Sequence, residues 1–110
     1  MRISAVSEVV EYLENLVDIL YEKEYFSFEE TSVAYVVDLF EDIMTNLPIK
    51  WHRPAPSYYN KYGKGMFYAS FIKNKRTTWY AFFTKYEENG ETIYLIRYIG
   101  NNHTDAHHLL

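Results

Sequence analysis

Residues 66–99 read MFYASFIKNKRTTWYAFFTKYEENGETIYLIRYI, and their pattern decides the fold. Three runs rich in aromatic and β-branched residues, 66–72, 77–86 and 92–99, suit a pleated and half-buried surface. Lys73-Asn74-Lys75-Arg76 separates the first two runs as a polar turn. Glu87-Glu88-Asn89-Gly90-Glu91 separates the last two, and Asn-Gly between apolar runs signals a tight hairpin. In the last run a period of two puts Ile93, Leu95, Arg97 and Ile99 on one face, with Thr92, Tyr94, Ile96 and Tyr98 on the other. Arg97 therefore interrupts an otherwise apolar row. Gly100-Asn101-Asn102 then turns the chain into a polar C-terminus from His103 onward.

Upstream of the strands the period changes. Val9, Leu13, Leu16, Val17 and Leu20 fall at helical spacing, with Glu8, Glu11, Glu14, Asp18 and Glu22 on the opposite side. This predicts a helix over 7–23 with Ser7 at its cap, after a short strand over 2–6. Ser27-Phe28-Glu29-Glu30 has the form of a capping box. Val33, Val36, Val37, Phe40, Ile43, Met44 and Leu47 extend a second apolar stripe to Pro48, predicting a helix over 28–47. The short join makes the two helices an antiparallel hairpin. Residues 48–65 form a long connection with three Pro, two Gly, three Tyr and Trp51. The expected architecture is one α+β domain over 1–110. An N-terminal strand and a helical hairpin pack on a small antiparallel sheet, in the order β-α-α-β-β-β.

Charge divides the chain. Residues 1–45 hold two bases against eleven acids, a net charge of −9; residues 46–110 hold nine bases against four acids, a net charge of +5. No acid occurs between Asn46 and Tyr86. An acidic first half and a basic, aromatic second half suggest one face that repels phosphate and one that attracts it. Twelve Tyr fit half-exposed sheet faces or a stacking surface for bases.

The absence of Cys excludes disulfides, thiolate catalysis and Cys-based zinc sites. No apolar run approaches a membrane span, and Glu8, Glu11 and Glu14 interrupt any signal-peptide core, so a soluble cytoplasmic protein is expected. No phosphate-binding Gly loop, nucleophile elbow or zinc-protease motif is present, and no cofactor is expected.

Three groups of residues could carry chemistry. Lys73, Lys75 and Arg76 make a compact basic cluster for phosphate contact, which Lys61, Lys64 and Lys85 could extend into a groove. Arg97 either pairs with a carboxylate or carbonyl or offers its fork to a phosphate. His103, Asp105, His107 and His108 are the densest ionisable cluster, suited to proton transfer near neutral pH. His103 and His107 share a face if helical. Two His without a third partner make a weak metal site.

The element order, the Leu47-Pro48 exit into a Pro-rich loop, and the run Leu95-Ile96-Arg97-Tyr98-Ile99-Gly100-Asn101-Asn102-His103-Thr104-Asp105 resemble the RelE/ParE superfamily. These are the toxins of type II toxin–antitoxin systems. The resemblance spans nearly the whole chain as architecture and carries little motif content. One branch cleaves messenger RNA on the ribosome. That branch implies Arg97 as phosphate stabiliser, His103 as proton donor or acceptor, His108 in place of a C-terminal aromatic, and Lys73, Lys75 and Arg76 as backbone grips. Attack of a ribose 2′-OH on its phosphate requires proton transfer and charge stabilisation, and no metal. The resemblance also implies a cognate antitoxin. The chain departs from the family in Asn102, where several members place a catalytic Arg, in Phe67-Tyr68, and in its net negative charge. The alternative is a non-enzymatic member of the ParE branch, which resembles a binder of DNA gyrase, or an inactive α+β interaction domain.

Overall fold

The computed structural model describes residues 1–23 and 28–109. Asn89 and Gly90 both take positive φ, 54° and 78°, which matches the twist of a two-residue hairpin. They join β4 (Thr77–Glu88) to β5 (Glu91–Asn101) in the longest ladder of the molecule, from Glu88↔Glu91 to Trp79↔Asn101. β3 (Phe67–Asn74) pairs antiparallel with β4 across Lys75-Arg76. The Asn74 side chain accepts from the Arg76 N–H at 2.9 Å and holds that turn.

Two short strands complete the sheet. β1 (Arg2–Ala5) lies parallel to β5, and β2 (Arg53–Pro54) closes the other edge beside β3, where a Pro is tolerated. The order is β1-β5-β4-β3-β2. The α+β layout follows the expected one, with a mixed rather than wholly antiparallel sheet. The N-terminal strand joins it in parallel because the helices return the chain to the far edge.

α1 (Ser7–Glu22) and α2 (Glu29–Asn46) pack on one face of the sheet. Val9, Leu13, Leu16, Val36, Leu39 and Ile43 meet Phe71, Trp79, Phe83 and Ile96 there. The opposite face is covered by the 48–65 connection and by α3 (Asn102–Leu109), over an aromatic core of Tyr59, Met66, Tyr68 and Phe82. The connection thus wraps the sheet and buries Tyr59 completely, while Trp51 stays exposed. His52 bonds the Leu47 carbonyl at 2.8 Å and packs edge-on against Phe83.

Several local expectations are corrected. Val6, in extended conformation, precedes α1, and Ser7 is its first residue, with its hydroxyl bonded to the Glu8 carboxylate. Ser27 of the expected capping box lies outside the described residues; Phe28, also extended, precedes α2. The polar C-terminus is a helix from Asn102. The ladder slips between Phe82↔Tyr98 and Phe83↔Ile96, leaving Arg97 as the extra residue of a bulge. Parity reverses across a bulge, so Ile99 joins the helix-facing core while Tyr98 packs on the aromatic side. Arg97 therefore shares no row with Ile99.

Ser32 on α2 is fully buried, and among the described residues its hydroxyl has no hydrogen-bond partner. Burying an unpaired hydroxyl costs about 1–3 kcal/mol. Ser32→Ala is accordingly expected to raise stability by roughly 1 kcal/mol. Chemical denaturation measures this, and a loss of stability would mean that the hydroxyl is paired.

Candidate functional site

The site is assembled by α3 and the connection. Asn101 caps α3: its side-chain oxygen accepts from the N–H groups of His103 at 2.9 Å and Thr104 at 3.2 Å. One turn later Asp105 points inward and is 3% exposed. Its carboxyl group accepts from the Tyr59 hydroxyl at 2.9 Å, the Tyr98 hydroxyl at 3.2 Å, the Asn101 N–H at 3.2 Å and the Thr104 hydroxyl at 2.7 Å. Such a cage satisfies a buried carboxyl without a cation. Burial first, and then the bond to Asp105, pushes the Tyr59 phenol far up. The Tyr98 phenol is raised by burial and by Asp105 charge. Asp105, expected as a helper in proton transfer, is instead the anchor that docks α3. A Cβ on Gly100 would overlap the Asp105 carboxyl, so only glycine lets the anchor seat.

The docked helix carries a ring column. His108 stacks on Tyr58 with centroids 3.5 Å apart and planes 10° apart. His107 adjoins His108 at 3.8 Å. The Lys61 ammonium lies 4.0 Å from the Tyr58 ring, and its bond to Tyr58 raises its pKa. Partial desolvation, and then the neighbouring His107, hold His108 below the usual histidine range.

Arg97 stands beside this column. Its Nε donates to the Thr84 hydroxyl at 3.1 Å. A Cβ on Gly63 would come within 2.7 Å of Arg97 Cδ, so Gly63 makes room for the side chain. Among the described residues the one ion pair joins the Met1 amino group to Glu91, so Arg97 forms no ion pair there, and Glu8 is the carboxylate that shares its cleft. Arg97, Lys61, Tyr62 and Tyr98 line a cleft of about 410 Å³ at the sheet edge, closed by Val6, Glu8, Val9 and Tyr12 of the α1 end. Tyr62 stacks on Tyr98 at 4.2 Å and fixes the wall.

His103 belongs to another cleft. Its Nε2 lies 3.3 Å from the Thr77 hydroxyl, and it lines a cleft of about 380 Å³ with Tyr35, Asn74, Thr77 and Trp79. Tyr12 is a wall of both clefts. The basic turn lies at this second end: Asn102 donates to the Arg76 carbonyl at 2.9 Å and accepts from the Thr78 N–H at 2.9 Å. The Lys73 ammonium sits 5.1 Å from the Tyr35 ring.

Of the residues singled out in the sequence, Arg97 and His108 are linked through Lys61 and Tyr58, whereas His103 goes with Lys73, Lys75 and Arg76. Tyr58, Tyr62 and Gly63 were not singled out, although the acid-free stretch and its three Tyr pointed to the segment. Among the described residues no group of three His, Cys, Asp or Glu side chains comes together as a metal site, and no helix is long and apolar enough to cross a membrane. The chain matches no family model, no curated protein and no solved structure.

Proposed function

We propose that the chain is the toxin component of a type II toxin–antitoxin system and inhibits translation by ribosome-dependent cleavage of messenger RNA. The observation that supports this reading most is Arg97, which forms no ion pair among the described residues, set in one cleft with Lys61, whose ammonium lies over the Tyr58 ring on which His108 stacks. Two cations in one cleft suit the charge that develops on a phosphate under attack. A histidine held below its usual pKa is neutral at pH 7 and can accept the 2′-OH proton. The 2′ oxygen then bonds to phosphorus, the bond to the 5′ oxygen breaks, and that oxygen takes a proton from solvent. The products are a 2′,3′-cyclic phosphate and a 5′-hydroxyl. His103, with Lys73, Lys75 and Arg76, contacts the RNA backbone. A cognate antitoxin neutralises the toxin.

The test is tightly controlled induction of the chain in bacteria, with protein synthesis measured by amino-acid incorporation. Prompt arrest is expected; normal synthesis at full expression would refute the reading. A second reading, a non-enzymatic binder of a protein target such as DNA gyrase, is favoured by the exposed Ile49 and Trp51 of the connection. It predicts arrest of DNA replication while messenger RNA stays intact.

The pH dependence has a definite sign. A base with a lowered pKa keeps its free form to lower pH than an ordinary histidine does. Cleavage should therefore fall on acidification, with its midpoint below the ordinary histidine value of about 6.5. A rate that rises on acidification from pH 7.5 would contradict His108 as the base.

A further inference from the structure

Single apolar side chains are ordinary on a protein surface, but here the most exposed ones gather at one place. Among the described residues Ile49, Trp51 and Ile72 are the large apolar side chains most open to solvent, at 81%, 79% and 73% exposure. They belong to two neighbouring segments at the β2–β3 edge of the sheet. β2 pairs antiparallel with β3 through Arg53↔Tyr68 and Pro54↔Phe67, so residues 49–52 run back along β3 toward Ile72. The Lys50 ammonium, 5.0 Å from the Phe71 ring, ties this run to the strand beside Ile72. The three side chains line neither the cleft of Arg97 nor that of His103; they protrude.

Charge narrows what these side chains can meet. No acid occurs from Asn46 to Tyr86, and Lys50, Arg53 and Lys73 are interleaved with the three apolar residues. Such a surface suits an anionic partner. Nucleic acid offers stacking to Trp51 and phosphate to the cations, but nothing apolar to Ile49 and Ile72. A protein partner, the use that the gyrase-binding reading gives Ile49 and Trp51, takes up protruding side chains only in pockets shaped for them. A bilayer takes all of them without a preformed pocket. Aliphatic chains enter the acyl boundary, an indole sits at the headgroup level, and cations reach lipid phosphates. We infer that the β2–β3 edge, through Ile49, Trp51 and Ile72 with Lys50 and Arg53, docks on the surface of an anionic lipid bilayer. The contact is shallow, so the attachment is reversible and weakens with salt. The inference stands apart from the RNA-cleavage reading, because this edge contains neither Arg97 nor His108.

Trp51 is its own reporter, since the other tryptophan, Trp79, is buried. The full chain is sedimented with sucrose-loaded vesicles of phosphatidylcholine alone, and of phosphatidylcholine with phosphatidylglycerol. Variants are Ile49→Ser combined with Trp51→Ser, Lys50→Glu combined with Arg53→Glu, and Arg97→Ala, each checked for folding by circular dichroism. The parent should partition onto the anionic vesicles about tenfold or more over the neutral ones, the effect of two cations near an anionic surface. Its tryptophan emission should shift to the blue and resist acrylamide quenching. The charge reversal should bring binding down to the neutral-vesicle level, the serine pair should weaken it about tenfold, and Arg97→Ala should bind like the parent. No sedimentation of the parent with anionic vesicles, binding that survives both double variants, or a bound chain whose Trp51 stays open to acrylamide would overturn the proposal. So would shielding of Trp51 by single-stranded RNA or by purified DNA gyrase when vesicles give none.

Discussion

Arg97→Ala is expected to lower messenger-RNA cleavage by about 100- to 1,000-fold, the usual effect of removing one fixed donor from a developing oxyanion. Among the described residues the side chain forms no ion pair, so its loss breaks none there. One hydrogen bond to Thr84 is lost, and melting should change little. Arg97→Lys keeps the charge and loses the fork, and should fall between the two. His108→Ala should cost about 100- to 10,000-fold, the range for a positioned general base. His108→Gln retains a planar group beside Tyr58 and separates the loss of stacking from the loss of the base. His103→Ala, in the other cleft, should cost far less than either. Cleavage by ribosomes supplied with each purified variant measures the series. Arg97→Ala acting at the parental rate would remove Arg97 from the chemistry.

Gly100→Ala is expected to destabilise the fold by about 3 kcal/mol or more. The new methyl group and the Asp105 carboxyl cannot occupy the same space. Driving Asp105 out orphans the Tyr59 and Tyr98 hydroxyls and the Asn101 N–H, and each buried orphan costs about 1–3 kcal/mol. α3 then loses its anchor, and His108 loses its register on Tyr58. Urea titration measures the change. The cause is isolated by a double-mutant cycle: with Asp105→Ala already present, Gly100→Ala should cost much less, because its obstacle is gone. An equal cost in both backgrounds would show that backbone conformation, rather than the carboxyl, demands glycine.

The strands and helices were legible because their side-chain periods differ and Asn89-Gly90 names its own turn. What escaped is what depends on register and tertiary contact. A strict period of two put Arg97 in line with Ile99, and nothing in Leu95-Ile96-Arg97-Tyr98 marks the extra residue that reverses parity. The helical C-terminus escaped because its cap is the Asn101 side chain and its anchor is a carboxyl received by Tyr59, 46 residues earlier. The same distance hid the column of Lys61, Tyr58 and His108, whose members lie on separate segments. His103 and His108 looked like parts of one cluster in sequence, yet the helix carries them to different ends of the surface. The width of the α2 stripe was visible, but which part the sheet would bury was not.

The central claim is that this chain cuts RNA through a 2′-OH attack assisted by Arg97 and His108. The most direct measurement is the chemistry of the ends left on messenger RNA after purified ribosomes translate in the presence of the purified chain. The account requires fragments with 2′,3′-cyclic phosphate and 5′-hydroxyl ends, formed by the parent and lost in Arg97→Ala. Intact messenger RNA, or fragments ending in 3′-hydroxyl and 5′-phosphate, would contradict it.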